Sequence, residues 1–294
     1  MIVDCHTHLW TDASQLGRGA ELHLSRQNRD EPLDAGPDAH ARGADCVDKT
    51  LVLGFTSRHL GANVPNDLLA EYVAAHADKM IGVAAVDPTD GPAAAETESL
   101  LDRKEFRGVT LSPSAQNFHP TDSRAMKVYE VAARRGAAVF FQQGTHFPAA
   151  GRLEYARPLL LDEIATEFPD LTIVIAGIGH PWVDECVVLL AKHARVFADV
   201  SGLARRPWQA YNALVAAHHC RVMDKVLFAS DFPFSTAGEA IEAIYRLREV
   251  TQGTNLPGVP REMLRGMVER DALSVLRIAR AGEQPPPRPH DDDI

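Results

Sequence analysis

The chain has 294 residues, 45% of them apolar and 24% charged, and 30 Lys+Arg against 40 Asp+Glu give a formal charge of −10. These are the proportions of a globular protein, and they exclude collagen-like, coiled-coil and wholly disordered chains. The acidic balance lacks the positive potential that nucleic-acid backbones and anionic lipids attract, so a small molecule is the expected partner, with no nucleic acid and no membrane.

Eight short runs rich in β-branched and other apolar residues follow one another along the chain, at 2–5, 50–54, 81–86, 107–111, 138–142, 171–176, 196–200 and 226–230. They are continuous rather than alternating, the pattern of strands buried on both faces of a parallel sheet. Between them lie segments of helical period, among them 65–77, 123–134 and 158–168. Start-to-start spacings of mostly about 25 to 33 residues are those of single βα units, and eight such units predict a (β/α)8 TIM barrel in one domain. An open doubly wound sheet is the runner-up; no GxGxxG or GxxxxGK[ST] follows the first strand to support it. Residues 10–45 break the regularity with a long polar excursion over the barrel mouth, helical only towards its end. The barrel is expected to fill 1–281 and a flexible tail 282–294, where Pro285-Pro286-Pro287 and Asp291-Asp292-Asp293 stand.

The longest apolar stretches, 81–86 and 187–191, fall far short of the roughly 20 residues of a membrane span. The opening Met1-Ile2-Val3-Asp4-Cys5-His6 leaves no room for a signal core, so a cytoplasmic location is expected. Cys5, Cys46, Cys186 and Cys220 are too scattered for a metal clip or a disulfide framework and read as reduced, mostly buried thiols.

Chemistry concentrates at the two ends of the chain. Asp4-Cys5-His6-Thr7-His8 closes the first strand, and residues i and i+2 of a strand face the same side, so His6 and His8 can present two imidazoles to one point at the C-terminal mouth of the barrel. Imidazole suits zinc and its transition-metal neighbours. The last strand ends abruptly in Ser230-Asp231, which puts a carboxylate at the neighbouring position because the last strand closes on the first. Phe232-Pro233-Phe234 delays the next helix and argues against simple capping by Asp231.

His6-Thr7-His8 and Phe228-Ala229-Ser230-Asp231-Phe232-Pro233-Phe234 together resemble the amidohydrolase superfamily, in its amidohydrolase-related branch typified by aminocarboxymuconate-semialdehyde decarboxylase and hydroxybenzoate-type decarboxylases. Val47-Asp48-Lys49, Asn66-Asp67, Arg107-Gly108-Val109, Gln143-Gly144-Thr145 and Gly179-His180-Pro181-Trp182 extend the likeness over about residues 1–280. The resemblance implies a barrel with one divalent metal ion, zinc first and manganese second, and makes a homodimer reasonable. Two positions depart from the family pattern: Gln142 stands where a ligand histidine is expected after the fifth strand, and Gly177 where another imidazole is expected after the sixth. An amide oxygen is a weaker zinc ligand than imidazole. His146, in the loop beyond Gln142, and His180 are the candidate substitutes.

The expected site therefore has His6, His8, Asp231, Gln142 and His146 on the metal, Asp231 and His180 moving protons, and Trp10, Arg58, His59, Ser112 and Asn117 touching substrate. Arg58 is the expected holder of a carboxylate. Decarboxylases of this type keep both of the missing histidines, so the expected activity is metal-dependent hydrolysis of a small organic acid, lactone, ester or amide. Non-oxidative decarboxylation of a small or aromatic acid is the alternative, and a degenerate ligand-binding barrel a second one.

Overall fold

Each apolar run becomes a strand. β1 (Val3–His8), β2 (Lys49–Leu53), β3 (Met80–Ala85), β4 (Phe106–Leu111), β5 (Ala138–Phe141), β6 (Ile173–Ile175), β7 (Val196–Asp199) and β8 (Val226–Leu227) lie side by side in chain order, every neighbouring pair parallel. The last strand returns to the first: Cys5 N–H donates to Phe228 O (3.0 Å), Asp231 N–H to His6 O (3.0 Å) and His8 N–H to Phe232 O (2.8 Å). The result is a (β/α)8 barrel in one domain. The computed structural model describes residues 1–19, 33–143 and 149–278. The tail 282–294, much of the excursion and His146 lie outside them. No helix of the described residues is long and apolar enough to cross a membrane.

The strands are apolar throughout because both faces are covered. Leu51 and Leu53, Ile81 and Val83, Ala138 and Phe140 fill the barrel interior, while their alternates Val52, Ala84, Val139 and Phe141 pack under the helices. β1 changes phase part-way. Val3 and Cys5 belong to the interior, the register against β2 shifts between Asp4 and Thr7, and across that irregularity His6 and His8 face one another.

Helices α1 (Pro37–Gly43), α2 (Asn66–Ala75), α3 (Ala93–Asp102), α4 (Ser123–Arg135), α5 (Asp162–Glu167), α6 (Val183–Lys192), α7 (Pro207–His219) and α8 (Ala237–Arg246) separate and follow the strands. The excursion is helical at its end, as α1, and adds a short 3-10 turn, Ala13–Leu16, capped by Asp12. The segment 158–168 divides into a 3-10 turn opened by Pro158 and the α-helix α5. In α2 the helix starts at Asn66, whose side chain bonds the backbone of Ala85 in both directions (2.8 and 2.9 Å) and ties the helix to the top of β3. Two further helices, α9 (Arg261–Val268) and α10 (Ala272–Leu276), follow α8. Ala272, Leu273 and Leu276 of α10 join the interior cluster and stop the barrel at the N-terminal ends of the strands, where Leu276 O and Val275 O accept from Thr172 and Arg195. Cys5 and Cys186 are buried, but Cys46 and Cys220 are exposed, so the thiols divide evenly rather than being mostly buried.

Candidate metal centre

At the opposite end, the C-terminal mouth, His6, His8 and Asp231 bring one ligand atom each within 4.8 Å of one another. The tautomers of both histidines follow from their partners. His6 Nδ1 lies 2.9 Å from Asp199 Oδ2 and His8 Nδ1 lies 3.1 Å from Leu53 O. A carboxylate and a carbonyl only accept, so both Nδ1 atoms carry the proton and, in the neutral rings, both Nε2 atoms are left as lone-pair donors. Those two Nε2 atoms face each other at 3.1 Å. Two lone pairs at that distance repel unless a proton or a cation lies between them, and two nitrogens bound at ~2.0–2.1 Å to one ion lie about 3 Å apart. With the Asp231 carboxylate 4.0 Å from His8 Nε2, the donor set fits a divalent transition metal.

The surroundings hold this arrangement in place. Asp199, at the end of β7, accepts from the backbone amides of Gly177 (3.0 Å) and Ser201 (2.9 Å) on one oxygen while the other takes His6. Burial disfavours a charged His6, but the charge and hydrogen bond of Asp199, joined by the charges of Asp231 and Asp4, together raise the pKa above the ordinary histidine value. Asp4, fully buried below the histidines, accepts from Ser230 N–H at 2.9 Å across the barrel seam, and burial pushes its pKa up to about 6. Asp231 itself has a left-handed backbone, φ 62°, so the chain turns sharply there, and the following helix begins only at Ala237 with Thr236 and Glu239 forming its capping box.

Behind the candidate metal ligands sits a second histidine system. His40 of α1 is 1% exposed. Thr7 Oγ1 donates to Leu51 O (2.7 Å), so it accepts from His40 Nε2 (2.8 Å), and His40 Nδ1 then accepts from the Tyr72 hydroxyl (2.9 Å). The His40 ring also stands edge-on to Phe232, at 5.1 Å between centroids. One turn further on, Gly43 lies so close that an added Cβ would be 2.7 Å from the Phe232 ring. Thus α1 touches Thr7, between His6 and His8, and Phe232, next to Asp231.

A cleft of about 120 Å³ opens beside His8, with Trp10, Phe55, Val64 and Phe234 among its apolar walls and Ser112, Gln142 and Arg18 among its polar groups. Trp10, Ser112 and Gln142 therefore share the cleft with a predicted ligand. Arg58, His59 and Asn117 do not line it. The Arg58 backbone is held by Asp87 (2.7 Å) and its exposed guanidinium points to Thr89 O, His59 bonds Ala150 O (3.0 Å), and Asn117 is the left-handed end of the short helix Pro113–Gln116. His180 stands just past the turn after β6, half-buried; burial and the charge of Arg206 lower its pKa, and Arg206 in turn feels Asp231. His180 does not line the cleft and is not part of the His6, His8 and Asp231 group.

A family model described as Amidohydrolase matches residues 3–278. The chain belongs to the amidohydrolase family. No curated protein matches it significantly. Solved structures similar to this amidohydrolase include a probable 2-pyrone-4,6-dicarboxylic acid hydrolase from Acinetobacter baumannii with citric acid bound (14% identity, 94% of this chain and 98% of that one, TM-score 0.66). Another is 5-carboxyvanillate decarboxylase from Sphingomonas paucimobilis (14%, 95% and 99%, 0.60). A third is a dihydroxybenzoic acid decarboxylase from Polaromonas sp. JS666 with bound manganese and the inhibitor 2-nitroresorcinol (15%, 94% and 96%, 0.63). At these identities the likeness is one of fold.

Among amidohydrolases the two departures now have a local account. Gln142 follows β5, its N–H donating to Leu111 O at 2.9 Å, and its side-chain Nε2 is buried with no hydrogen-bond partner among the described residues. Gly177 has φ 57° in a turn where Ile178 and Gly179 are also left-handed, and what it contributes is its backbone N–H to Asp199. Asp199, His40 and Arg18 escaped the sequence reading. Asp199 carried a weaker signal, a lone carboxylate inside the apolar run 196–200. His40 carried none.

Proposed function

We propose that this amidohydrolase is a metal-dependent, non-oxidative decarboxylase of a small or aromatic acid. The observation that carries the metal half of this reading is the facing pair of Nε2 lone pairs on His6 and His8, 3.1 Å apart and locked by Asp199 and Leu53 O. A degenerate binding barrel has no use for that arrangement. The apolar cleft beside it and the similar decarboxylase structures support the carboxy-lyase half. His6, His8 and Asp231 would hold the ion, zinc or manganese, which when bound supplies Lewis acidity towards an acid or phenol oxygen. The reaction breaks the bond between carboxylate carbon and ring carbon, leaves the electron pair on the ring carbon, releases CO₂ and returns a proton to that carbon. Asp231 and His180 are assigned the proton movement, Trp10 and Ser112 the substrate contact.

Hydrolysis of a lactone, ester or amide is the second reading, favoured by Gln142 and Gly177 in place of imidazoles and by the similar hydrolase structure. Protein loaded with manganese or zinc and offered 2,6-dihydroxybenzoate, 5-carboxyvanillate and a set of lactones decides between them. CO₂ release from an acid, abolished by chelation and restored by the ion, is the expected result. Lactone opening without CO₂ release from any acid overturns the decarboxylase reading, and protein with no stoichiometric metal overturns the metal-dependent one.

A further inference from the structure

The first strand carries an extra residue, and a buried polar chain reaches it from the helical layer. Against β2, Asp4 stands opposite Thr50 and Thr7 opposite Val52, three steps on β1 for two on β2, with Leu51 alone between. A side chain in step with Val3 and Cys5 would face the barrel interior; Thr7 instead turns its hydroxyl to Leu51 O (2.7 Å) and to His40 of α1 (2.8 Å). Behind His40 stands Tyr72 of α2, packed under the helices, with its hydroxyl 2.9 Å from His40 Nδ1. All three side chains are buried. Their hydrogen bonds run one way, from the Tyr72 hydroxyl to His40 Nδ1, from His40 Nε2–H to Thr7, and from Thr7 to the carbonyl at the slipped register. The same ring abuts Phe232, whose carbonyl accepts from His8 N–H (2.8 Å) and whose neighbour is Asp231. A leucine would fill the space of His40 but leave two buried hydroxyls each short of a partner, so packing alone does not account for an imidazole here.

We infer that His40 is a positioning residue for the His6/His8 pair: backed by Tyr72, it pins Thr7 at the extra residue of β1 and so sets how the two Nε2 atoms on either side of Thr7 face each other. The inference rests on the metal-dependent reading for what the pair binds, and on β1 alone for how the pair is shaped. His40 acts through Thr7 and Phe232 rather than on the ion. A one-residue slip in a strand turns its side chains to the opposite face. Released from His40, Thr7 is free to return to the phase of Val3 and Cys5, and that movement carries His6 and His8 out of alignment.

The probe is cobalt(II), titrated into the full-length protein and followed by its visible absorption, which reports how the ion is coordinated. His40→Leu should weaken cobalt binding about 10-fold or more and alter the absorption bands. His40→Gln, which keeps a donor for Thr7 and an acceptor for Tyr72, should stay within about threefold of the parent with its bands unchanged. Tyr72→Phe removes a single oxygen atom and should fall between the two. Tyr129→Phe removes another buried hydroxyl, bonded to Pro120 O at 3.0 Å from α4, and should change neither affinity nor spectrum whatever it does to stability. Circular dichroism checks folding, and Tyr72→Phe carries the test if His40→Leu does not fold. A second measurement needs no metal. Nitrogen NMR of the histidine-labelled, metal-free protein, at a pH where both rings are neutral, should show His6 and His8 protonated on Nδ1 in the parent and in His40→Gln, with their signals moved in His40→Leu and Tyr72→Phe. Affinity, absorption and ring signals unmoved in both of the latter overturn the inference, and so does a His40→Gln protein as impaired as His40→Leu. A parent that takes up no cobalt removes the metal-dependent reading and leaves the ring signals to decide this one, for it if His40→Leu moves them and against it if they stay.

Discussion

At the N-terminal end of the strands the barrel is stopped by Ala272, Leu273 and Leu276 of α10, apolar side chains packed on the interior residues of the sheet. At the C-terminal end the same barrel carries His6, His8, Asp199 and Asp231, all buried or nearly so, with left-handed backbone at Gly177, Ile178 and Asp231. The first end lowers free energy by removing apolar surface from water. The second brings polar groups out of water and keeps them tolerable through directed hydrogen bonds, Asp199 to two amides and His6, Asp4 to Ser230, His8 to Leu53. Stability and chemistry are thus placed at opposite ends of one set of strands, and substitutions at the two ends should have separable effects.

The largest separation is expected from the double replacement His6→Ala/His8→Ala. It should abolish stoichiometric metal binding and lower activity by at least ~10³-fold, the scale of lost Lewis-acid catalysis, while thermal unfolding remains cooperative; metal analysis and calorimetry check both halves. Leu273→Ala at the other end should cost about 2–5 kcal/mol of stability and leave turnover per folded molecule within twofold, measured by denaturant unfolding and by activity at a permissive temperature. A mouth that loses stability and a floor that loses turnover would break the comparison. Asp199→Asn sharpens it: the amide can no longer serve His6 as a charged acceptor, and metal affinity should fall about 10- to 100-fold in a competition titration with the fold intact.

A further expected effect is a pH dependence of stability. Burial, with lesser contributions from the charges of His8 and His76, holds His40 down to about 3 from the ordinary 6.5. The unfolded chain then binds a proton that the folded chain does not, so stability is full above pH 6.5 and declines as pH falls from 6.5 towards 3. The slope from this one group is at most about 1.4 kcal/mol per pH unit. His40→Gln keeps a donor for Thr7 and an acceptor for Tyr72 without the titration, and should flatten the stability profile in that window when unfolding is followed from pH 7 to 4. An unchanged slope would show that His40 takes up its proton in the folded protein.

The fold was legible because burial on both faces writes itself into a sequence as continuous apolar runs; all eight strands were readable, with errors confined to their ends. The pair His6/His8 and Asp231 were readable for the same reason, as polar residues that terminate apolar strands. Asp199 escapes that rule in the sequence, because Val200 continues its apolar run. What the rule misses are residues brought in from outside the sheet. His40 reaches the centre from α1 and Arg18 from a turn held by a distant hairpin, and neither contact has a period or a local motif. Arg58 illustrates the converse: its place after β2 suits a substrate contact, but the Thr56–Asn63 turn is pinned by Asp87 and sends the side chain elsewhere. Gln142 and Gly177 were visible as anomalies, yet the service of Gly177 through its backbone amide could only be seen in three dimensions.

The three proposed metal ligands straddle the seam of the barrel, two on the first strand and one just past the last, joined by the hydrogen bond from Asp231 N–H to His6 O. His8 and Asp231 stand 223 positions apart in the sequence. A metal held by all three would therefore require the first and eighth strands to have met, which makes its capture a report on barrel closure.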